Sequence, residues 1–140
     1  MEVMNLSPCL EMILRFLLAA GLGAGIGYQR ERAGKAAGMR THILVSSGAA
    51  LFTLVSIYGF SGDTVDISRV AAGVVVGMGF IGAGVIFRGL RGEGVAGLTT
   101  AASMWATAAI GLATGTGMYL LSVIATAVTV GVLFLPKVHG

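Results

Sequence analysis

The sequence predicts an all-α integral membrane protein, a glycine-rich bundle of about five transmembrane helices. Of its 140 residues, 56% are hydrophobic and only 11% are charged, whereas a soluble domain carries about 25% charged residues. The charges are clustered, and long uncharged stretches lie between the clusters, which is the pattern of membrane helices. Most of the 23 glycines fall in those apolar stretches. We therefore expect residues 1–140 to form a single transmembrane domain, with no soluble C-terminal domain in this chain.

Five segments approach the roughly 20 apolar residues that cross a bilayer core. The first carries Glu11 and Arg15 near its start, and the fourth is short and rich in hydroxyl side chains. The second, third and fifth are uncharged apolar runs. The predicted spans are about 10–28, 43–60, 70–87, 98–114 and 118–135.

The connections between the predicted helices differ in charge, and this difference predicts the orientation in the membrane. The connection at 29–42 carries four basic residues against one acid, whereas the connection at 61–68 carries two acids and no base. Basic residues favour the cytoplasmic side, so the N-terminus is expected outside and the C-terminus in the cytoplasm. Seven of the nine Lys and Arg residues then lie in the cytoplasm: Arg30, Arg32, Lys35, Arg40, Arg88, Arg91 and Lys137.

The sequence offers little material for an enzyme, a metal centre or nucleic-acid binding. It contains two histidines and no GxSxG, HExxH or P-loop motif, which are signatures of common catalytic sites. A single cysteine excludes an intrachain disulfide and a site of several cysteines. The net charge of +3 follows from the basic residues that set the topology. We therefore expect no enzymatic activity, no cofactor, no bound metal and no nucleic-acid partner.

Glycines spaced four residues apart mark helix faces that we expect to pack closely. The third helix carries Gly73 and Gly77, and the fourth carries Gly111 and Gly115; small residues at this spacing let membrane helices approach each other. Three interpretations stay open: tight packing inside one bundle, a homodimer or other homo-oligomer with its seam on the third helix, and local unwinding at 79–84 as in transporters. The packing candidates are Gly73, Gly77, Gly79, Gly82, Gly84 and Gly111.

Hydroxyl side chains form a second pattern, along one face of each of the last two helices. A polar pathway through the membrane is one explanation, but helices around a wide water path usually also carry charge, and these faces carry none. We therefore expect hydrogen bonds between helices, worth about 0.6 kcal/mol each. The hydroxyl residues are Thr100, Ser103, Thr107, Thr114, Ser122, Thr126 and Thr129.

Charged residues in or beside the spans are candidates for function. Arg15 lies four residues after Glu11, and the two either act inside the membrane or pair at its outer surface. Asp66 and Arg69 flank the start of the third helix, where Asp66 either caps the helix or supplies a functional charge. Trp105 falls in mid-span, so we expect it to pack against other helices.

Four sequence blocks together resemble the membrane domain of the MgtC/SapB family, from about residue 14 to residue 126. The second block is Asp66-Ile-Ser-Arg69 followed by two alanines, and the third is the glycine-rich stretch 77–84. The fourth runs from Val95 through Thr99 and Thr100 to Trp105 and continues to Gly111. The first block follows the opening helix and matches at Gly27, Arg30, Glu31, Lys35, Ala37, Gly38, Arg40, Thr41 and His42.

This resemblance implies a multi-pass protein of the bacterial inner membrane, linked to growth at low Mg²⁺, acid tolerance and virulence. One family member is reported to restrain the F-type ATP synthase. The family usually has Glu-Arg-Glu where this chain has Gln29-Arg30-Glu31, which puts a role for two acids there in doubt. Many members also carry a soluble C-terminal domain, so we expect either a short member or a piece of a longer protein. The implied functional residues are Arg15, Arg30, Glu31, Lys35, Arg40, Thr41, His42, Asp66, Arg69, Thr99, Thr100 and Trp105.

Two functions from different classes stay open. The first is a non-enzymatic regulatory protein that packs against partner helices, either its own copy or a larger membrane complex. The second is a small transporter or channel for cations or protons, lined by Arg15, Asp66 and the hydroxyl faces. Ion flux in proteoliposomes discriminates between them, because a packing partner gives none.

Overall fold

A computed structural model describes residues 6–86 and 97–136 of the chain. These residues form five α-helices and no β-strand, which confirms the predicted all-α fold. The helices are α1 (Leu6–Arg32), α2 (Met39–Tyr58), α3 (Ser68–Ile86), α4 (Leu98–Gly115) and α5 (Tyr119–Leu133). The basic residues Arg88, Arg91 and Lys137, on which part of the topology prediction rests, lie outside the described residues.

Three of these helices are long and apolar enough to cross a membrane: Ser7–Arg32, Met39–Tyr58 and Ser68–Ile86, while Tyr119–Leu133 is apolar but shorter. Every helix begins and ends within four residues of its predicted span. The largest difference is at α1, whose 27 residues extend about 40 Å. Its charged C-terminal end, Arg30 to Arg32, continues the helix beyond the apolar stretch, because the limit set by the bilayer applies to the apolar residues and not to the helix itself.

The helices pack around α2 and α4. Of the described helices, α4 contacts each of the other four, and α2 contacts α1, α3 and α4. The helix α3 touches only α4 and α2, and α5 touches only α4 and α1. The two outer helices α3 and α5 therefore lie at the edges of the bundle, and each has only two buried residues.

Two pairs of glycines hold α2 between α1 and α4. A Cβ atom added to Gly27 of α1 would lie 2.6 Å from the Cα atom of Met39 in α2. On the other side, a Cβ atom added to Gly115 of α4 would lie 2.8 Å from the Cβ atom of Thr53. Gly23 lies one helical turn before Gly27, and Gly111 lies one turn before Gly115. A Cβ atom added to either of them would overlap with Ser46 of α2. Since no side chain fits at these contacts, glycine permits the close approach of the three backbones.

The glycines of α3 are different from these, although their spacing is the same. A Cβ atom added to Gly82 would lie at an ordinary 3.5 Å from the Cβ atom of Ala101. At Gly73, Gly77, Gly79 and Gly84 it would meet nothing within 4 Å. Packing inside one bundle is therefore wrong for these four glycines, and the seam with a second copy stays a prediction. Local unwinding at 79–84 is also wrong, because α3 is continuous to Ile86.

The hydroxyl groups of α4 and α5 mostly bond within their own helices. Thr107 donates to the carbonyl oxygen of Ser103 at 2.6 Å, and Thr114 donates to that of Ile110 at 2.7 Å. Ser122, Thr126 and Thr129 donate in the same way, to carbonyls four residues earlier. The predicted hydrogen bonds between helices are wrong for these five residues, because the carbonyl one turn back is the nearest acceptor.

Candidate functional site

Arg30 is a buried cation between the end of α1 and the start of α4. Its side chain is only 3% exposed although it belongs to the last turn of α1. The Nη2 atom donates a hydrogen bond of 2.6 Å to the hydroxyl oxygen of Thr100, in the first turn of α4. The Nε atom is buried and has no hydrogen-bond partner within residues 6–86 and 97–136. A guanidinium group stays protonated in proteins, so a full positive charge lies in this place.

His42 is fully buried next to this cation and connects α2 to α4. Its Nδ1 atom lies 2.9 Å from the carbonyl oxygen of Gly38, and its Nε2 atom lies 2.9 Å from the hydroxyl oxygen of Ser103. Because a carbonyl oxygen only accepts, Nδ1 carries a proton and donates it to Gly38. The Ser103 hydroxyl donates at 2.8 Å to the carbonyl oxygen of Thr100. We call Arg30, His42, Thr100 and Ser103 the Arg30 cluster.

No carboxylate among the described residues pairs with Arg30. Within residues 6–86 and 97–136 the one ion pair joins Arg15 to Glu11. Glu31 is the next residue after Arg30, but its Oε1 atom accepts the backbone N–H of Met39 at 3.1 Å and so caps the start of α2. The Arg30 cluster therefore carries a net positive charge at the beginning of α4, where the helix dipole is positive as well.

The other basic residues near this end are at the surface. Lys35 and Arg40 are exposed, and so is Arg32, which donates at 3.1 Å to the hydroxyl oxygen of Tyr28. Thr99 is exposed and Thr41 is half-buried. Of the residues that the sequence predicts here, the structure thus brings together Arg30, His42 and Thr100, and it adds Ser103.

At the other end of α1, Arg15 ties three helices together. Arg30 is fifteen residues further along α1, which corresponds to about 22 Å. The Nε atom of Arg15 donates to Glu11 at 3.0 Å, and Nη1 donates to the carbonyl oxygen of Gly115 at the end of α4, also at 3.0 Å. The hydroxyl group of Tyr119 in α5 donates to the same carboxylate. These contacts favour the paired, structural interpretation of Arg15, since each charge is neutralised.

Sequence reasoning identified Arg15 and Glu11 but missed Tyr119 as their partner. The predicted topology has four spans between Glu11 and Tyr119, an even number, and therefore predicts that both residues lie on the same side of the membrane. A tyrosine at the start of the last span was therefore the available signal. The ring of Tyr58, at the end of α2, lies 6.0 Å below the guanidinium group of Arg15 and completes this cluster.

Asp66 caps the start of α3 and is exposed, as is Arg69. Its Oδ1 atom accepts the hydroxyl group of Ser68 at 2.7 Å and the backbone N–H of Ser68 at 3.0 Å. These two hydrogen bonds, and to a lesser degree the charge of Arg69, lower the pKa of the Asp66 carboxyl group. These two hydrogen bonds favour the interpretation of Asp66 as a helix cap over that of a functional charge. No group of three His, Cys, Asp or Glu residues in the described parts of the chain is arranged to hold a metal ion.

An apolar cleft of about 620 Å³ opens between α2 and α3. Gly73 and Gly77 line it on α3, and Leu44, Gly48 and Phe52 line it on α2. The open glycine face of α3 is therefore one wall of this cleft. Trp105 of α4 is 56% exposed, so more than half of it is left open by the described helices, and its packing role stays a prediction.

Comparison with known proteins places these features in a family. The model of the MgtC family matches residues 16–139. YhiD of Escherichia coli K12, whose name describes it as a candidate magnesium transporter, is 50% identical over 129 residues, or 88% of this chain and 59% of YhiD. SrpB of Synechococcus elongatus is 44% identical over 84% of this chain and 70% of SrpB. MgtC of Salmonella typhimurium is 46% identical over 81% of this chain and 47% of that protein.

The chain thus spans about three fifths of the length of YhiD and about half of the length of MgtC from Salmonella typhimurium. No solved structure shows significant similarity to it. The family model covers most of the chain, and the relatives agree with it. This chain therefore belongs to the MgtC family.

Proposed function

We propose that this chain is a non-enzymatic regulatory protein of the bacterial inner membrane, which acts by helix–helix contact through α3. All five helices cross the membrane in this proposal, with the N-terminus outside and the C-terminus in the cytoplasm. The observation that carries the proposal is the open face of α3, where Gly73 and Gly77 have no neighbour within 4 Å of an added Cβ atom. In a membrane such a face favours the approach of another helix.

A second copy of this chain is the partner that fits the cleft best. The side chain of Phe80 is 82% exposed and lies three residues after Gly77, on the adjoining face of α3. A two-fold dimer requires a surface that is complementary to itself. The recess at Gly73 and Gly77 and the exposed ring of Phe80 beside it support such a surface on α3.

The regulated process in this proposal is growth at low Mg²⁺, on the basis of family membership. A dimer that forms through α3 leaves other surfaces for a larger membrane complex, of which the F-type ATP synthase is the example that the family resemblance provides. Affinity purification from native membranes after crosslinking tests that partner, with the Gly77→Leu variant as the comparison.

Rescue of growth at low Mg²⁺ tests the proposal in a strain that depends on this protein. Gly77→Leu fills the recess and should abolish rescue at normal expression. Gly131→Leu is the matched control, because Gly131 of α5 is also open, with nothing within 4 Å of an added Cβ atom, and should rescue fully. Full rescue by Gly77→Leu would contradict a role for the α3 face.

The name of YhiD favours a second candidate function, the transport of Mg²⁺. A magnesium site uses carboxylates and retained water molecules, and the described residues hold no group of three acidic or other metal-binding side chains. Purified protein in liposomes that contain a Mg²⁺-sensitive dye distinguishes the two functions. The regulatory proposal expects flux no higher than in empty liposomes, and Mg²⁺ entry that depends on the protein would replace it with transport.

A further inference from the structure

The start of α4 has backbone donors for which the described residues provide no partner. The first hydrogen bond of the helix runs from the N–H of Ala101 to the carbonyl oxygen of Gly97, so the N–H groups of the three residues before Ala101 have no acceptor within the helix. Gly97 has no side chain with which to cap them, and no side-chain cap is formed there. Its φ of +86° and the carbonyl oxygen of Val85, 2.9 Å from an added Cβ atom, both require glycine at this position.

Arg30 adds an independent second observation at the same place. Arg30 is 3% exposed, and its guanidinium group bonds to Thr100 in the first turn of α4. Its buried Nε atom has no partner in the described parts of the chain. A buried charge is expensive unless an opposite charge compensates it, and the positive end of the α4 dipole increases the cost. His42, which faces the cluster from α2, contributes no negative charge.

The described acids are either engaged elsewhere or lie far from Arg30. Glu11 pairs with Arg15 at the far end of α1, and Glu31 caps α2. Asp66 caps α3, and Asp63 lies in the same connection between α2 and α3, at the far end of both helices. The positive charge of Arg30 is therefore not matched from the described part of the chain.

We propose that Arg30 and the first turn of α4 bind an oxyanion of the phosphate class. A phosphate group presents several oxygens, which suits a guanidinium group and a row of backbone N–H groups together. The anion approaches beside Thr99, which is exposed, and meets the guanidinium group from the α4 side. Exposed Lys35 and Arg40 at the same end attract anions toward it. The source is either free phosphate or the headgroup of a membrane phospholipid, since the end of an apolar helix lies at headgroup depth.

Binding to the purified full chain tests this site with two probes. In detergent, inorganic phosphate is titrated against the thermal unfolding temperature, with chloride at equal ionic strength as the reference. In vesicles, retention of phosphatidylglycerol is compared with that of phosphatidylcholine by native mass spectrometry. Stabilisation by phosphate in detergent identifies the free anion, and selective retention of phosphatidylglycerol identifies the lipid headgroup. Absence of both effects overturns the proposal.

Variants assign the binding to Arg30. Arg30→Gln should weaken it by roughly tenfold or more, the effect of losing a charge-assisted hydrogen bond. Arg32→Gln is the matched control, because it removes an exposed positive charge from the same turn of α1, and it should bind almost as wild type. If Arg30→Gln does not fold, Arg30→Lys keeps the charge and removes the planar fork, and it should also bind more weakly.

Two results would overturn the assignment. Equal weakening by Arg32→Gln and Arg30→Gln would show a diffuse electrostatic effect with no defined site. Binding that appears only in Glu93→Gln would show that the carboxylate of Glu93, which lies outside the described residues, occupies the place of the anion in the wild-type protein.

Discussion

The bundle contains the same glycine spacing in two settings, one closed and one open. Gly111 and Gly115 of α4 press against α2 so closely that an added Cβ atom would overlap with it, whereas Gly73 and Gly77 of α3 face an unfilled cleft. The spacing therefore indicates that a helix is ready for close approach, and it does not indicate which helix approaches. In the first setting the partner is within the chain; in the second we propose that it is another copy.

The largest expected difference between the two settings is in stability. Gly111→Ala places a methyl group against the backbone of Ser46, at a cost of about 3 kcal/mol. Alanine regains about 1 kcal/mol through its helix propensity, so we expect a net loss of about 2 kcal/mol. Gly77→Ala meets nothing and should not be destabilised. Unfolding in detergent with increasing dodecyl sulfate, followed by the fluorescence of the single tryptophan, Trp105, measures both variants. Equal stability of the two would contradict the comparison.

A smaller difference in stability is expected between variants of Arg15, which contacts the end of α4, and variants of Arg69 at the start of α3. Arg15→Gln removes the ion pair with Glu11 and weakens the cap of the last turn of α4. We expect a loss of about 1–2 kcal/mol, because this side chain is part-buried and hydrogen-bonded on both sides. Arg69→Gln at the start of α3 changes an exposed side chain and should stay within about 0.5 kcal/mol of wild type. The same unfolding experiment measures both variants. A larger loss of stability for Arg69→Gln than for Arg15→Gln would show that the contacts of Arg15 do not stabilise the bundle.

The smallest expected effect concerns the pH dependence of the α3 cap. Hydrogen bonds from Ser68 lower the pKa of Asp66 in the folded chain, so its contribution to stability is complete above the unfolded pKa of about 3.9. That contribution is lost as the pH falls through the lower folded pKa. Asp66→Asn keeps an acceptor for the cap and removes the titration. Unfolding curves between neutral pH and about pH 3 should therefore fall less steeply for Asp66→Asn than for wild type, and parallel curves would contradict the assignment.

The positions of the helices along the chain were predictable from the sequence, whereas the contacts between the helices were not. Each apolar run of bilayer length became a helix, and glycines or charged residues mark the ends. Arg30 and Arg32 show what the sequence lacks: both are basic residues in the last turn of α1, yet Arg30 is buried against α4 and Arg32 is exposed. Only the rotation of α1 relative to α4 separates them, and that rotation is set by the contacts of Gly23 and Gly27 with α2.

The same reason applies to Trp105 and to α3. Composition predicts that Trp105 lies inside the membrane, but it does not tell whether the side chain faces another helix or lipid. The GxxxG spacing of α3 likewise does not indicate which helix packs against it. At Thr107 and Thr114, the hydroxyl groups bonded to the nearest carbonyl of their own helix, a choice that the pattern of residues along the chain does not reveal.

The association of labelled chains in lipid vesicles tests the central claim, that the open face of α3 binds a second copy. Single-molecule photobleaching of chains with a C-terminal fluorophore, over a range of protein-to-lipid ratios, gives the fraction of dimers. Wild type and Gly131→Leu should form dimers to the same extent, and Gly77→Leu should stay monomeric while retaining the thermal stability of a wild-type monomer. Dimers of Gly77→Leu at the wild-type fraction, or wild-type chains that stay monomeric at every ratio, would contradict the account.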